Sequence, residues 1–430
     1  MRFSFLTVVA IAPFLLLSVS SSPLQIENYF NNHFYSQEDQ GVLKFSHGEI
    51  ISGSHAKSSL PHLPLHDIDL DETLKPLDSD GLFSLHKQLI QISSISGNER
   101  NISLLLGDYL TNMGLTVEYI QSGSRFNLYA YLGKTRDTKV MLTSHIDTVP
   151  PFIEYYLKED EIHGRGSCDA KGSVVAQIVA FKQMVADKKI KEGDVSLLYV
   201  VDEEKGGTGM RDVDSVIEAN WDTVIFGEPT TNKLAVGHKG VYYFELKTTG
   251  IAGHSGYPEY FVNANSHMIE FMYALINDDW PTDELLGPTT VNIGLYKGGV
   301  ADNVISPEST ATVIMRISVE AEIIKDIVDN VISKISKKLG LKDSEFPLEF
   351  RLIGSADPTF LDYEVPGFET YIASYFTDIP NLTQRGFKRY LYGPGSILVA
   401  HGANEFVKVD DLVNAVEGYK NLTIYALENN

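Results

Sequence analysis

The chain has 430 residues, too many for one small core, and this length favours two domains. Hydrophobic residues make up 43% of the chain and charged residues 21%, which is ordinary for a globular protein. The 57 acidic residues outnumber the 35 basic ones, and the formal net charge of −22 argues against binding to nucleic acid or to an anionic membrane surface. An acidic excess of this kind fits a solvated surface, or carboxylates that gather around bound cations.

Residues 1–22 have the layout of a cleavable secretory signal. Arg2 precedes a mostly apolar run at residues 3–19, and three serines follow before Pro23. A single membrane anchor is the alternative interpretation, but Pro13 and the small residues that end the run fit cleavage better. We therefore expect a secreted protein, or one in the lumen of a vacuole, that keeps no membrane segment once the signal is removed.

Glycosylation sites and cysteine usage agree with this route. Three Asn-x-Ser/Thr sites predict glycosylation at Asn101, Asn381 and Asn421. Cys168 is the only cysteine, so the chain has no internal disulfide. Stability must then come from core size, glycans or metal.

An irregular arm gives way to regular elements at about residue 82. Residues 23–78 are rich in His, Ser, Pro and Asp, and their lack of periodicity predicts an extended arm or a propeptide-like segment. Apolar periodicity then predicts two helices and three strands, at residues 82–92, 102–113, 115–119, 126–132 and 140–144.

Polar residues begin where the third of these strands ends, at His145 and Asp147. Open α/β sheets bind ligands at the carboxyl ends of their strands, and the i, i+2 spacing places both side chains on one side of an extended chain. A carboxylate beside a histidine can hold one ring nitrogen while the other binds metal. Because His-x-Asp is frequent by chance, this pair alone is also compatible with an ordinary polar strand end.

The same arrangement recurs along the chain. Asp169 lies in a glycine-rich loop before a predicted helix at 173–186, and the spacing of that loop fits neither a dinucleotide-binding motif nor a P-loop. Predicted strands at 195–201 and 223–226 lead into the remaining carboxylates, Glu203, Glu204 and Glu228. One parallel sheet would bring all of these side chains to a single edge. Carboxylates gathered there would repel one another unless cations were bound.

Residues 238–353 change character and predict a smaller inserted domain. The predicted order is strand, helix, strand, strand, helix, strand, at residues 241–248, 264–276, 290–296, 309–319, 321–339 and 348–353. This β-α-β-β-α-β order is typical of a ferredoxin-like α+β domain. The flanking segments, 79–237 and 354–430, would then form the catalytic metal-binding domain.

With these residues assembled, the chain from about Leu82 onward resembles the dinuclear zinc hydrolase family of aminoacylases, acetylornithine deacetylase, succinyl-diaminopimelate desuccinylase and glutamate carboxypeptidase. The resemblance rests on seven motifs in order: SHIDTVP, GRGSCDAKG, VVDEEKGGTG, FGEPT, GHSGYP, GGVADNVIS and VAHGANEFV. The secretory signal brings the chain nearest to the secreted fungal-type carboxypeptidases. The resemblance implies an α/β fold: a phosphorylase/hydrolase-like zinc-peptidase domain with a mixed, largely parallel sheet, plus the inserted ferredoxin-like domain as lid and dimerisation element.

The resemblance also implies two Zn²⁺ ions per subunit, although Co²⁺ or Mn²⁺ could occupy the same ligands. His145 and Glu228 would bind one ion, and Glu204 and His401 the other. Asp169 would bridge both ions. Asp147 would orient His145, as the pairing of these two residues already suggested.

In the implied mechanism, a hydroxide that bridges the two metals attacks the amide carbonyl. Glu203 is the expected general acid and base, and His254 would donate to the developing oxyanion, often from the partner subunit. Arg316 and Asn303 would hold the terminal carboxylate of the substrate. Lys239 is a further candidate for substrate binding, with a surface lysine as the alternative.

These features predict a metal-dependent carboxypeptidase that hydrolyses the amide bond next to a free carboxylate. The substrate would be a peptide or an N-acyl amino acid, and a homodimer through the inserted domain is expected. An N-acyl-amino-acid deacylase with the same site is the main alternative. A non-catalytic binding protein on the same fold is a remote one, since no implied ligand or base is missing.

Overall fold

The computed structural model describes the backbone of residues 42–46 and 49–52 and the chain from 81 to 429, except for 342–347 and 384–385. The predicted signal at 1–22 and most of the predicted arm lie outside these residues. In the described part, no helix combines the length and the apolar character needed to cross a bilayer.

Seven α-helices occur in the described residues: α1 (Leu82–Gln91), α2 (Arg100–Asn112), α3 (Lys171–Ala186), α4 (Thr208–Val216), α5 (Ala264–Asn277), α6 (Ala321–Lys338) and α7 (Val409–Glu428). The first ten strands are β1 (Val42–Ser46), β2 (Glu49–Ser52), β3 (Leu115–Ser122), β4 (Arg125–Leu132), β5 (Val140–His145), β6 (Tyr156–Lys158), β7 (Glu161–His163), β8 (Val195–Val200), β9 (Thr223–Phe226) and β10 (Leu234–His238). The others are β11 (Gly240–Thr249), β12 (Thr282–Asp283), β13 (Gly287–Pro288), β14 (Thr290–Gly298), β15 (Glu308–Ile317), β16 (Glu349–Ala356), β17 (Thr359–Phe360), β18 (Thr370–Ala373), β19 (Lys388–Leu391) and β20 (Phe406–Lys408).

The largest sheet of the described part has eight strands in the order β19-β9-β5-β8-β4-β3-β1-β2. Parallel pairing joins β19, β9, β5 and β8. The other pairings, from β8 through β4 and β3 to β1 and β2, are antiparallel. The α/β fold with a mixed sheet is confirmed. The expectation of a largely parallel sheet is corrected, because parallel pairing is confined to one half.

A tight hairpin accounts for this difference. β3 ends at Ser122 and β4 begins at Arg125, so two residues make the connection. A two-residue turn can join only antiparallel neighbours, since parallel neighbours need a long crossover. The turn residue Gly123 has φ +62°, a left-handed conformation that glycine adopts without steric cost.

The parallel half of the sheet is buried on both faces. Every residue of β5, β8 and β9 is buried, as expected for strands covered on both sides. One core contains apolar residues of α1, α2, α3 and α7, and a second core on the other face contains residues of α4 and of the segment before β19. The ends of these three strands are therefore held rigidly.

A separate four-stranded antiparallel sheet has the order β14-β15-β11-β16. Helices α5 and α6 cover one face of it, and their core includes Phe244, Phe271, Val313 and Val328. Alternating burial along β11 and β15 shows that only this face is packed. The elements follow the β-α-β-β-α-β order predicted for this region, while the division of the chain into domains stays a prediction.

Candidate metal centre

Neighbouring parallel strands deliver most of the predicted ligands to one edge of the large sheet. His145 is the last residue of β5, and Glu228 follows β9 by two residues. Glu204 lies in the turn after β8, and Asp169 lies just before α3. Because these strands are adjacent and parallel, their carboxyl ends meet at the same edge.

Three side chains form what we call the buried triad: His145, Asp169 and Glu228. Their ligand atoms all lie within 4.8 Å of one another. The Nε2 atom of His145 is 3.1 Å from Asp169 Oδ1 and 3.7 Å from Glu228 Oε1. All three residues are buried.

A second group, the open triad, consists of Asp169, Glu204 and His401. Its ligand atoms also lie within 4.8 Å of one another. His401 Nε2 is 2.8 Å from Glu204 Oε2 and 3.3 Å from Asp169 Oδ2, and the His401 side chain is 52% exposed. Asp169 therefore turns one oxygen toward each histidine, as a carboxylate that bridges two ions must.

The donor set suits a pair of divalent cations. Imidazole nitrogens and carboxylate oxygens are ligands that Zn²⁺, Co²⁺ and Mn²⁺ share. Glu204 Oε1 is buried and has no hydrogen-bond partner among the described residues, so it is an acceptor free to bind a cation. The chemistry of these donors and the unpartnered Glu204 oxygen therefore fit bound divalent cations.

Crowding changes the acidity of the whole cluster. Burial, followed by the negative charges of Asp169 and Glu204, raises the pKa of Glu228 well above its usual value. Hydrogen bonds to Asp169 and Glu204 raise the pKa of His401 to about 10. Burial alone would raise the pKa of Asp169, but hydrogen bonds from His145 and His401 hold it below its usual value. The two histidines thus offset part of the negative charge that bound cations would neutralise.

Asp147 lies behind the cluster and contacts three parts of it. His145 Nδ1 donates to the backbone oxygen of Asp147 over 3.0 Å, which directs Nε2 toward Asp169. The two carboxylate oxygens of Asp147 accept the backbone N–H groups of Glu203 and Glu204, each over 3.1 Å. The sequence suggested only the contact with His145, so the link to the turn that carries Glu203 and Glu204 is new.

Glu203, the expected base, lines a small cavity with His145, Glu228 and Asp378. Burial and then the negative charge of Glu228 raise the pKa of Glu203 well above its usual value. A carboxylate with raised proton affinity is suited to act as a general base.

Asp378 was not found from the sequence, because no motif marks it. Burial raises its pKa to about 6, and Asn381 Nδ2 donates to its Oδ1 over 2.6 Å. One predicted glycosylation site is therefore bonded to a residue that lines the cavity. The other two predicted acceptors lie on helices, with Asn101 partly buried on α2 and Asn421 exposed on α7.

The predicted substrate-binding residues lie outside the triads. His254 is exposed, and its Nδ1 accepts the backbone N–H of Gly256 over 3.0 Å. Asn303 is exposed in the loop before β15, and Arg316 lies on β15, where burial lowers its pKa. The Nζ atom of Lys239 donates to the backbone oxygen of Pro288. None of the described contacts joins these four residues to the triads, so their roles stay predictions.

Two further charged residues near the triads, Arg165 and Glu405, belong to the motifs GRGSCDAKG and VAHGANEFV, but the sequence assigns no role to either. Arg165 and Glu405 form a buried ion pair, with Arg165 Nη1 2.6 Å from Glu405 Oε2. A charged residue in a glycine-rich loop, or four residues after a histidine, is too common to be assigned a role from sequence.

Comparison with known proteins gives the family. The model of Peptidase family M20/M25/M40 matches residues 141–424. A Peptidase M20 domain-containing protein of Schizosaccharomyces pombe is 47% identical over 81% of this chain and 85% of its own length. A protein of Aspergillus clavatus named a probable carboxypeptidase is 39% identical over 82% of this chain and 90% of its own length. The structure of a tripeptidase from Staphylococcus aureus matches with a TM-score of 0.69 and 21% identity, over 83% of this chain and 100% of that one.

The fold and the paired triads define a metallopeptidase. The chain belongs to Peptidase family M20/M25/M40, as the family match and the 47% identity establish. The resemblance drawn from the seven motifs is thereby confirmed.

Proposed function

We propose that the protein is a two-metal carboxypeptidase that hydrolyses the amide bond next to a free terminal carboxylate. The observation that carries the proposal is the shared carboxylate of Asp169, whose two oxygens lie 3.1 Å from His145 Nε2 and 3.3 Å from His401 Nε2. The name of the Aspergillus clavatus relative supports the choice of carboxypeptidase.

Two divalent ions held by the buried triad and the open triad would supply Lewis acidity that acidifies water and polarises the substrate carbonyl. The remaining steps belong to the chain itself. Glu203 takes a proton from the attacking water, for which its raised pKa suits it. The same carboxyl then returns the proton to the nitrogen of the leaving amine, so the residue ends the cycle ionised.

Asp147 keeps the base in place during these transfers. Its carboxylate holds the backbone N–H groups of Glu203 and Glu204, so the base and one ligand share a single support. A base fixed in this way does not have to be oriented during the reaction.

Recognition of the terminal carboxylate is assigned to Arg316 and Asn303, with His254 as the donor to the oxyanion. A guanidinium can hold a carboxylate through two parallel hydrogen bonds. A chain with a net charge of −22 needs such local cations to retain an anionic substrate.

Substrate series test this proposal. Purified full-length protein loaded with Zn²⁺ should cleave N-blocked dipeptides and should fail on the same dipeptides with an amidated C-terminus. Exhaustive chelation should abolish cleavage, and added Zn²⁺, Co²⁺ or Mn²⁺ should restore it. Activity on N-acetyl amino acids alone would instead identify a deacylase, and no turnover with any of the three metals would leave a binding protein.

Secretion and self-association are parts of the same proposal. The layout of residues 1–22 supports entry into the secretory route, with the vacuole lumen as the alternative destination. Ile269, Tyr273 and Ile276 lie on one face of α5 and are 55%, 67% and 57% exposed, which supports a homodimer through this region. Sedimentation of the wild type and of Tyr273→Glu should then show a dimer and a monomer, respectively.

A further inference from the structure

The buried ion pair between Arg165 and Glu405 has no place in the proposed reaction. Their side chains are 2% and 0% exposed. A charge inside a protein is costly unless it is paired and hydrogen-bonded, so the partners of these two groups show what the pair holds in place.

Glu405 holds the loop that carries Asp169. Its Oε1 atom accepts the backbone N–H groups of Gly166, Cys168 and Asp169, over 2.9, 3.2 and 3.2 Å. Hydrogen bonds to an ionised carboxylate are stronger than those between neutral groups. Three of them on one oxygen fix the path of the backbone up to the residue that both triads share.

Arg165 extends this support to His401. Its Nη2 atom donates to the backbone oxygen of His401 over 3.4 Å, and its Nε atom donates to that of Pro151 over 3.2 Å. His401 has φ +63°, a left-handed conformation that is uncommon for residues with a side chain. The intrinsic backbone preference of His401 therefore does not favour the conformation that directs its ring at Glu204. The hydrogen bond from Arg165 restrains the His401 backbone in that conformation.

The buried triad is supported differently. His145 is the last residue of a fully buried strand, and its Nδ1 is bonded to the backbone of Asp147. Glu228 follows Gly227, whose N–H donates to the backbone oxygen of Thr143 over 2.7 Å. Among the described contacts, neither His145 nor Glu228 touches the ion pair.

We propose that Arg165 and Glu405 are positioning residues that set the affinity of the open triad for its metal ion. The proposal rests on the two-metal function proposed above. It assigns the larger effect to the open triad, because the pair supports both Asp169 and His401 there but only Asp169 in the buried triad.

Zinc titration of the Glu405→Gln variant tests the proposal. Glutamine keeps the size of the side chain and one acceptor oxygen but loses the charge that pairs with Arg165. Full-length protein is stripped with a chelator and titrated with Zn²⁺ by calorimetry, while thermal unfolding verifies that it is folded. The wild type should bind one ion at each triad. The variant should lose about 10- to 100-fold in affinity at the open triad, which loses support at both Asp169 and His401, as is typical when partners of metal ligands are removed. The buried triad loses support only at Asp169, so its affinity should fall by less.

The chain offers a matched control in Glu118→Gln. Glu118 is equally buried and is paired with Arg136 at 2.8 Å, but it lies on β3 in the antiparallel half of the sheet. This variant should lose stability and keep both zinc affinities. Arg165→Lys keeps the charge but cannot make all three contacts of the guanidinium, so it should give an intermediate loss and replaces Glu405→Gln if that variant does not fold.

The outcomes separate the two proposals. Wild-type affinity for both ions in a folded Glu405→Gln or Arg165→Lys variant would overturn the role of the pair. Equal weakening of both ions would overturn the assignment to the open triad, because it would show that the pair acts only through Asp169, which both triads share. The same loss in Glu118→Gln would overturn it by revealing a general effect on stability. A wild-type chain that binds fewer than two ions would overturn the two-metal function itself.

Discussion

The edge of the eight-stranded sheet and the four-stranded sheet both carry predicted site residues, and they present them in opposite ways. At the edge, His145 and Asp169 are buried and bonded to each other. In the four-stranded region, Asn303 is exposed and Arg316 lies on β15, and no described contact links them to the triads. The groups assigned to chemistry thus lie together at the edge of the eight-stranded sheet, whereas those assigned to recognition of the terminal carboxylate have no described contact with that edge. Substitutions in the two regions should therefore alter different kinetic constants.

Loss of the base tests the first half of this comparison and should have the largest effect. Glutamine in Glu203→Gln has similar shape but cannot take a proton, so we expect kcat to fall about 100- to 10,000-fold. Zinc content, measured by atomic emission, should stay at the wild-type level because Glu203 belongs to neither triad. Full turnover by this variant would remove Glu203 from the mechanism.

Acid should lower the free energy of unfolding of the catalytic region through the protonation of His86. This side chain is fully buried on α1, and its Nε2 donates to the backbone oxygen of Ser167 over 2.9 Å, in the loop that carries Asp169. Burial lowers the pKa of His86 from 6.5 to about 4. Below pH 6.5 the unfolded chain takes up a proton that the folded chain refuses, so stability is lost as the pH falls from 6.5 toward 4.

The matched variant is His86→Gln, whose amide keeps the donor to Ser167 but does not titrate. Chemical unfolding of both proteins at pH 7.5 and at pH 4 should show that the wild type loses about 3 kcal/mol more than the variant. Identical losses would mean that other groups govern the acid response.

The smallest expected effect is on substrate binding by the four-stranded region. Replacing the guanidinium in Arg316→Met should lower kcat/KM for N-blocked dipeptides about 10- to 100-fold, mainly through KM, because charged hydrogen bonds to the carboxylate are lost. Zinc affinity should not change. On amidated dipeptides, any residual activity of variant and wild type should be equal. A fall in kcat with constant KM would place Arg316 in the chemical step and blur the comparison between the two regions.

The sheet edge could be predicted from sequence because each contributing strand is a continuous apolar run that ends abruptly in polar residues. β5 before His145 and β9 before Glu228 are of this kind. Such runs mark buried parallel strands, and their ends coincide by topology. The β-α-β-β-α-β order could also be predicted, because the strands there show alternating apolar and polar residues whereas the helices show helical periodicity.

The antiparallel half and the supporting contacts could not be predicted in the same way. The sequence pattern ends one strand at 119 and begins the next at 126, so it does not reveal the two-residue hairpin that contains Gly123. Asp378 lines a cavity with Glu203 and Glu228, which lie far from it in the chain, and Glu405 pairs with Arg165 at a separation of 240 positions. Contacts over such separations leave no local pattern, and only the folded chain reveals them.

The two carboxylate oxygens of Asp147 link the proposed base to a proposed metal ligand, so one cannot be altered without the other. Each oxygen accepts one backbone N–H, from Glu203 and from Glu204, while the same residue's carbonyl fixes the imidazole of His145. An asparagine at this position would turn an NH₂ group toward one of those N–H donors, and the shared turn would displace both Glu203, the proposed base, and Glu204, a proposed metal ligand. Attempts to redesign metal preference around His145 must therefore preserve this aspartate, or they will alter proton transfer as well.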